Sequence, residues 1–438
     1  MNRRKFLEML AASSAGLLTL PTVLMADDDN GLPSALFQVP TQTGISGNIL
    51  IVGGGMAGAT LAKYLRLWGG TGVKVTLVEK QPSYTSNIMS NKVLTGQMSL
   101  ADLNYGYDTL TGHYGVQRVQ GEVKAINPAG KSVTLAMGGT LAYDRLVLAP
   151  GLEFDLLPGM TSQSEYDQFT PHAWRAGPQT QLLRDQLVAM PNGREVVITI
   201  PKAPYRCPPG PYERACVVAD WLADNKPASR VIVLDANPAI LVEQENFSAA
   251  FRGDFGYIVD YRPGCTLTAV NSRARSVTYT NAKGSSHAIQ AGVLNPIPPQ
   301  RAPKLLADAG LYNPAAEMSV PVNVLSYESR LKGIHVIGDA SNTTQPKAGH
   351  IGNQQAKTCA DAILRALQGK AVDPAPVTNS ACYTPITATT ATWLSAVYQY
   401  DAEKGIMKIP ARHHGGGAIS ASRATTETTK TCRCGFRP

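Results

Sequence analysis

A chain of 438 residues, 44% of them hydrophobic, is long enough to close two or three separate cores. Only 16% of its residues are charged, and the net charge of +8 is gathered partly at the ends, in Arg3, Arg4 and Lys5 and again in Lys404, Lys408, Arg412, Arg423, Lys430, Arg433 and Arg437. The near-neutral body has no basic stretch interleaved with aromatics, which speaks against a nucleic-acid surface, and seven cysteines are too few for a disulfide scaffold in a chain this long.

The first 26 residues read as an address. Asn2-Arg3-Arg4-Lys5-Phe6-Leu7 precedes an apolar run through Leu17, Leu18 and Leu20 to Met25, and Ala26 leads into Asp27-Asp28-Asp29. This is the twin-arginine form of an export signal. It predicts a periplasmic protein delivered already folded, with any bulky cofactor in place. Ser13, Ser14, Thr19, Pro21 and Thr22 interrupt the run too often for an anchor. No later stretch reaches the roughly 20 apolar residues of a spanning helix, so no transmembrane anchor is expected. Residues 27–46, polar and punctuated by Gly and Pro, read as a linker.

Ile49-Leu50-Ile51-Val52 has the continuous apolar character of a buried strand. The Gly53–Gly58 turn follows, then a helix from Ala59 to about Trp68 and a strand from Val73 to Val78 that ends at Glu79. This is a βαβ unit with short connections. Further strands are predicted at 116–119, 121–126, 131–135 and 143–148, the last running into Ala149-Pro150-Gly151. A second α/β module is expected from about residue 160, with a strand Glu195–Ile200, a helix Tyr212–Leu222 and a strand Arg230–Leu234 ending at Asp235. Near residue 290 the chain is expected to return to the first module. There it adds a strand Gly333–Ile337, the Gly338-Asp339-Ala340 turn and a helix around Asn353–Leu367. Beyond about 372 the sequence is rich in Ala, Thr and Ser and carries Cys382, and past Arg412 it gives no structural signal.

Gly53-x-Gly55-x-x-Gly58 lies between strand and helix, where a dinucleotide fingerprint must lie. Gly53 permits the tight turn, Gly55 lets the backbone approach a pyrophosphate, and Gly58 lets the helix pack closely on the strand. Glu79, 21 residues after Gly58, is placed to accept hydrogen bonds from ribose hydroxyls. Lys80 beside it, Val123 and Gly151 complete the first-module candidates. Gly338-Asp339-Ala340, read alone, is equally an ordinary turn. Following a short strand in a chain with this fingerprint, it matches the second flavin motif of large FAD-dependent reductases, with Asp339 toward the ribityl or pyrophosphate part. FAD is therefore the expected dinucleotide.

The second module lacks such a turn. Its first strand ends in Ile200-Pro201-Lys202-Ala203-Pro204-Tyr205-Arg206-Cys207-Pro208-Pro209-Gly210. Prolines fix φ and remove N–H donors, so this loop is a poor cradle for a second pyrophosphate and NAD(P)H is not the expected electron partner. No set of Cys or His residues has metal-ligand spacing: Cys432-Arg433-Cys434 lacks a second pair, and His413-His414 stands apart. No haem attachment pattern is present, and no metal is expected.

Over roughly residues 47–400 the chain resembles the flavoprotein subunit of flavocytochrome c sulfide dehydrogenase, a relative of the sulfide:quinone oxidoreductases. The matching stretches are Ile49–Gly58, Ser90-Asn91, Tyr205–Cys216, Gly338-Asp339-Ala340 with Pro346-Lys347, and Asn379-Ser380-Ala381-Cys382-Tyr383. The run Cys207-Pro208-Pro209-Gly210-Pro211-Tyr212-Glu213 is the most specific of them. The resemblance implies an α/β fold of two Rossmann-like, glutathione reductase-type domains plus a small C-terminal domain. An FAD domain would take residues 47–160 and 290–371, a degenerate NAD-like domain with Cys207 residues 161–289, and an interface domain with Cys382 residues 372–411. The tail 412–438 stays unassigned.

It further implies that Cys207 and Cys382 form a redox-active disulfide beside the flavin. Hydrosulfide, a good nucleophile at neutral pH, would open it by exchange to a persulfide and a thiolate, and two electrons would pass into FAD. Glu213 is the candidate to manage protons there, its other reading being a surface carboxylate at a helix start. Lys347 would either stabilise negative charge near the flavin or be solvated. Cys216, Cys265 and Cys359 read as buried small hydrophobes. The electrons would pass to a separate c-type cytochrome. The alternatives are a sulfide:quinone oxidoreductase, or a flavin-binding subunit without turnover.

Two departures from the family pattern stand out. Its members tether FAD through a cysteine in Tyr-Thr-Cys-x-x-Ser-Asn, whereas this chain reads Tyr84-Thr85-Ser86-Asn87-Ile88-Met89-Ser90-Asn91, with Asn87 at the cysteine position. Non-covalent FAD, at a lower reduction potential, is expected. The family's aromatic-rich ending is also missing: residues 412–438 hold only Phe436.

Overall fold

A computed structural model describes residues 38–410 and 420–425. The export leader at 1–26, most of the 27–46 linker, His413, His414, Cys432 and Cys434 lie outside the described residues. The part of the linker that is described is held to the first module. Thr71 N donates to Pro40 O at 2.8 Å, Thr43 Oγ1 donates to Gly69 O at 2.5 Å, and Ile45 is buried. The polar composition hid Val39 and Ile45, whose apolar side chains join the first core.

The first module opens with β1 (Gly47–Val52), α1 (Met56–Gly69), β2 (Val73–Glu79) and β3 (Gln117–Gln120). An antiparallel meander follows, β4 (Val123–Asn127), β5 (Ser132–Leu135) and β6 (Thr140–Ala142), before β7 (Arg145–Leu148) re-enters the parallel sheet. Because β1 is buried on both faces, its residues alternate between two cores. Ile49 and Ile51 pack with Leu61 and Leu65 of α1, and Leu50 and Val52 pack with Val123 and Val133 of the meander. Leu61 and Leu65, one turn apart and fully buried, each contribute about 1.5–3 kcal/mol.

The chain crosses to the second module at β8 (Glu153–Phe154). There α2 (Pro178–Ala189), β9 (Glu195–Ile200), α3 (Gly210–Asn225), β10 (Arg230–Asp235), α4 (Gln244–Ala249) and β11 (Val259–Pro263) build a second parallel sheet. An antiparallel flap, β12 (Thr266–Asn271), β13 (Ser276–Thr280) and β14 (Ser286–Gln290), leads to β15 (Val293–Pro296). β15 pairs with β9, Val196 against Val293, so the second module does not end at residue 289. A four-residue strand ending in proline gives little sequence signal, and only its pairing reveals it. The return crossing, β16 (Gln300–Arg301), pairs antiparallel with β8, and Arg301 grips Asp155 through two 2.6 Å bonds.

Back in the first module, β17 (Ile334–Val336) completes the parallel order β17-β7-β1-β2-β3, and α5 (Gly349–Leu367) packs beside α1 in the same core. The last unit is a long hairpin, β18 (Val377–Pro385) and β19 (Thr390–Asp401), with β20 (Ile406–Lys408) on its far edge. The tail left unassigned contributes one more strand, β21 (Ser420–Thr425), antiparallel to β19. No helix among the described residues is long and apolar enough to cross a membrane.

Candidate active site

The glycine turn is built as its spacing requires. Gly53 has φ +101°, and a Cβ there would lie 2.3 Å from Ala149 O; one at Gly58 would lie 1.9 Å from Gly53 O. A Cβ at Gly55 would meet only Tyr84, at 3.6 Å, so this position stays open to a ligand. Glu79 closes the turn from the end of β2: its Oε2 accepts from Gly54 N at 2.7 Å and its Oε1 from Gln81 N at 2.9 Å. Tyr107 Oη donates to Gly54 O at 3.0 Å. Gly151, at φ +74°, has open space where a Cβ would stand. Lys80 turns its amine to Glu122, 3.4 Å away on the surface, and the Val123 side chain is packed in the core, its strand paired with β5.

Gly338-Asp339-Ala340 forms a short turn at φ +71°, held by Gly338 N donating to Gln355 Oε1 at 2.7 Å. Here two helix starts meet. A Cβ at Gly338 would sit 3.2 Å from Ala57 Cβ in the first turn of α1, and one at Gly352 of α5 would sit 3.5 Å from the same atom. Neither α1 nor α5 has a side-chain cap at its N-terminus. Unpaired N–H groups and the positive dipole ends of two helices thus converge beside an open glycine face, which suits the pyrophosphate of a dinucleotide. The residues present fit FAD: Gly53, Gly55, Gly58 and Glu79 on one side, Gly338 and Asp339 on the other.

The proline-rich loop of the second module is tied to this same motif. Arg206 pairs with Asp339 at 3.6 Å, and Cys207 N donates to Lys347 O at 2.8 Å. Lys347 is not solvated: its Nζ donates to Asp339 O at 2.5 Å and Ser341 O at 2.9 Å. Meanwhile the position in the second module that corresponds to Glu79 is filled from within. Asp235, fully buried, accepts from Tyr212 Oη at 2.8 Å and Tyr261 Oη at 2.9 Å, while Asn237 N and Nδ2 both reach it at 2.8 Å. Protein hydroxyls occupy the places that ribose hydroxyls would take, and prolines replace the pyrophosphate turn.

Cys207 sits in this loop in a left-handed conformation, φ +55°, just ahead of α3. Cys382 lies on β18, with Ser380 Oγ 4.0 Å from its sulfur. The two sulfurs are unbonded, and each is within electrostatic reach of Glu213. Burial, then the Glu213 carboxylate and the Cys382 thiol, push the Cys207 thiol far up; burial also raises Cys382. Glu213 is not a solvated surface group. Burial pushes it up to about 7, against the pull of its hydrogen bond from Asn91 and the charges of Arg214 and Lys92. Cys216, Cys265 and Cys359 are buried in the cores and take no part. Asn87, at the family's tether position, accepts from Ala176 N at 2.8 Å through Oδ1.

Three residues that sequence reasoning gave no role complete the site. Arg214 is 2% exposed and lies 4.7 Å over the Trp174 ring; Trp174 Nε1 donates to Arg206 O at 3.1 Å; Asn91 links Arg214 to Glu213. Arg206 and Arg214 flank the Cys-Pro-Pro-Gly run, but nothing in their spacing says that one is fully buried.

Tandem dinucleotide folds, an open first cradle, a filled second one and a thiol pair at their junction define a flavin-dependent oxidoreductase of the disulfide-reductase architecture. Residues 47–198 match the family model for pyridine nucleotide-disulphide oxidoreductases, and residues 180–298 match that for the central part of the sulfide dehydrogenase (flavocytochrome c) flavoprotein chain. The sulfide-quinone reductase of Aquifex aeolicus is 23% identical over 360 residues, 76% of this chain and 80% of that protein. The solved sulfide:quinone oxidoreductase of Aquifex aeolicus superposes with a TM-score of 0.72 at 18% identity, over 89% of this chain and 90% of that one. Putidaredoxin reductase, solved in a covalent complex with putidaredoxin, gives 0.63 at 18% identity, over 89% and 92%. At these identities the superpositions speak to fold. The family matches and the curated relative support a flavoprotein of the sulfide dehydrogenase and sulfide-quinone reductase type within the pyridine nucleotide-disulphide oxidoreductases.

Proposed function

We propose that the protein is a periplasmic sulfide dehydrogenase that oxidises hydrosulfide at Cys207 and Cys382 and delivers electrons through non-covalent FAD to a separate c-type cytochrome. The observation that carries this reading is the gathering of Cys207, Cys382 and Glu213 at the junction of the Gly338-Asp339 motif and a second nucleotide fold filled by Tyr212 and Tyr261. With the two cysteines joined as a disulfide, HS⁻ attacks one sulfur, the S–S bond breaks, and a persulfide and a thiolate result. A further hydrosulfide takes the outer sulfur of the protonated persulfide and frees the second thiolate. Glu213, half-ionised near neutral pH, takes the proton that the released hydrogen disulfide sheds, and the two thiolates would close to the disulfide again as they give up two electrons. Bound FAD supplies a two-electron acceptor that can return electrons singly. Lys347 and Arg206 hold the cysteine loop against the flavin motif throughout.

Anaerobic sulfide is expected to bleach the flavin absorbance of the wild type, and Cys207→Ser or Cys382→Ser to abolish the bleaching; bleaching that survives both substitutions overturns the reading. The likeness to a sulfide-quinone reductase supports a second reading, with quinone as acceptor. Reoxidation of sulfide-reduced protein by cytochrome c but not by a soluble quinone separates the two. Asn87 at the tether position supports non-covalent binding, so acid precipitation is expected to release all of the FAD into the supernatant.

A further inference from the structure

Glu213 rises from the first turn of α3, but its direction is set from elsewhere. Asn91, 7% exposed in the short helical turn Asn91–Leu94, stands between two opposite charges. Its Oδ1 accepts from Arg214 Nε at 2.9 Å, and its Nδ2 donates to Glu213 Oε1 at 2.9 Å and to Gly210 O at 3.4 Å. An amide turned end for end would face the guanidinium with its own donors. Since a guanidinium only donates, that orientation satisfies neither partner.

Arg214 cannot follow such a flip. Its Nη1 donates to His172 O at 2.8 Å and Asn295 Oδ1 at 2.9 Å, and its Nη2 donates to Ala173 O at 2.8 Å. Asn295 is itself anchored by Nδ2 donating to Pro171 O at 2.6 Å and His172 O at 3.0 Å. The Asn91 amide is therefore clamped with its NH₂ toward the carboxylate. A fixed donor favours the ionised carboxylate, which only accepts, over the protonated acid.

We propose that Asn91, oriented by Arg214, is a positioning residue that holds the Glu213 carboxylate beside Cys207 and Cys382 in its proton-accepting form. The other groups that face Glu213 act with it or against it: Arg214 and Lys92 favour the charge, and Glu243 and burial oppose it. The proposal rests on the thiol pair being the sulfide-oxidising centre, but its test needs neither sulfide nor turnover.

Infrared titration of the holoprotein isolates Glu213 as the carboxyl band missing from Glu213→Gln. In the wild type this band is expected to ionise near pH 7. Loss of a hydrogen bond to a charged group raises that midpoint by about one to two pH units in Asn91→Ala. Asn91→Asp keeps the acceptor for Arg214 and the residue volume but loses the donor, so it is expected to move the midpoint at least as far. Either folded variant titrating at the wild-type midpoint overturns the proposal.

A measurement on the unaltered chain guards against variants that fail to fold. With asparagine labelled in wild-type protein, one side-chain NH₂ resonance must follow the Glu213 midpoint, and the lack of any such resonance also overturns the proposal. Failure of sulfide to bleach the wild-type flavin would sink the functional reading and leave these titrations standing.

Discussion

Among the described glycines, Gly58 leaves the least room for a side chain. A methyl group at Gly58 would stand 1.9 Å from Gly53 O, a backbone atom that can retreat only by dragging the turn away from β1. Gly58→Ala is expected to yield protein that folds its second module yet retains little FAD, checked by the ratio of flavin to protein absorbance after purification. Glu213 makes a different demand. Its folded pKa of about 7 lies above the ordinary 4.5, so the folded state holds a proton that the unfolded chain releases. Stability contributed this way is present below pH 4.5 and is lost as pH climbs to about 7. Glu213→Gln should flatten that part of the stability–pH curve, as measured by denaturant midpoints; an unchanged slope would show that the carboxyl titrates normally. Of the residues at this site, Cys207, Cys382 and Glu213 were legible from a family motif. Asn91 and Arg214 were not, because an amide or a guanidinium looks the same in sequence whether it is solvated or clamped.

Among the elements, the C-terminal hairpin is the one whose position matters most, since β18 carries Cys382. Thr384 and Thr392 face each other across β18 and β19, and both donate to Glu243, which precedes α4 of the second module; Thr384 does so at 3.4 Å. Cys382 lies two residues from Thr384 on the same face of its strand. Thr392→Val removes one donor from a half-buried carboxylate and should cost about 1–2 kcal/mol. A lower urea midpoint, with faster alkylation of Cys382 than of Cys207 in the reduced protein, would report the hairpin loosening. Equal rates would mean that the hairpin is held by its packing on α5 instead. Periodicity placed α1, α3, α5 and the strands of the first parallel sheet, since each buries a continuous face, but it gave no reading of α2, β11, the flap β12–β14 or the hairpin β18–β19. It also missed β15 and β21, where four and six residues respectively depend on a neighbouring strand for their identity.

For the molecule as a whole, the contrast between the two nucleotide folds gives a prediction about the electron donor. The first presents bare glycine and two uncapped helix ends; the second fills its acidic corner with Tyr212 and Tyr261. NADH is expected to leave the flavin oxidised under anaerobic conditions, and rapid bleaching by NADH would show that the second fold opens. The strand–glycine–helix order, Glu79 and the prolines of 201–209 already carried the two-fold architecture and this asymmetry, because backbone conformation and the loss of N–H donors are local properties of residue type. Three features are set only by long-range packing. One is the junction where Arg206 meets Asp339 and Cys207 N meets Lys347 O; another is the tyrosine plug on Asp235; the third is the buried chain Arg214–Asn91–Glu213. Each joins residues far apart in the chain. Whether a polar group among them is hydrated or locked depends on what else is folded against it, and no local pattern encodes that.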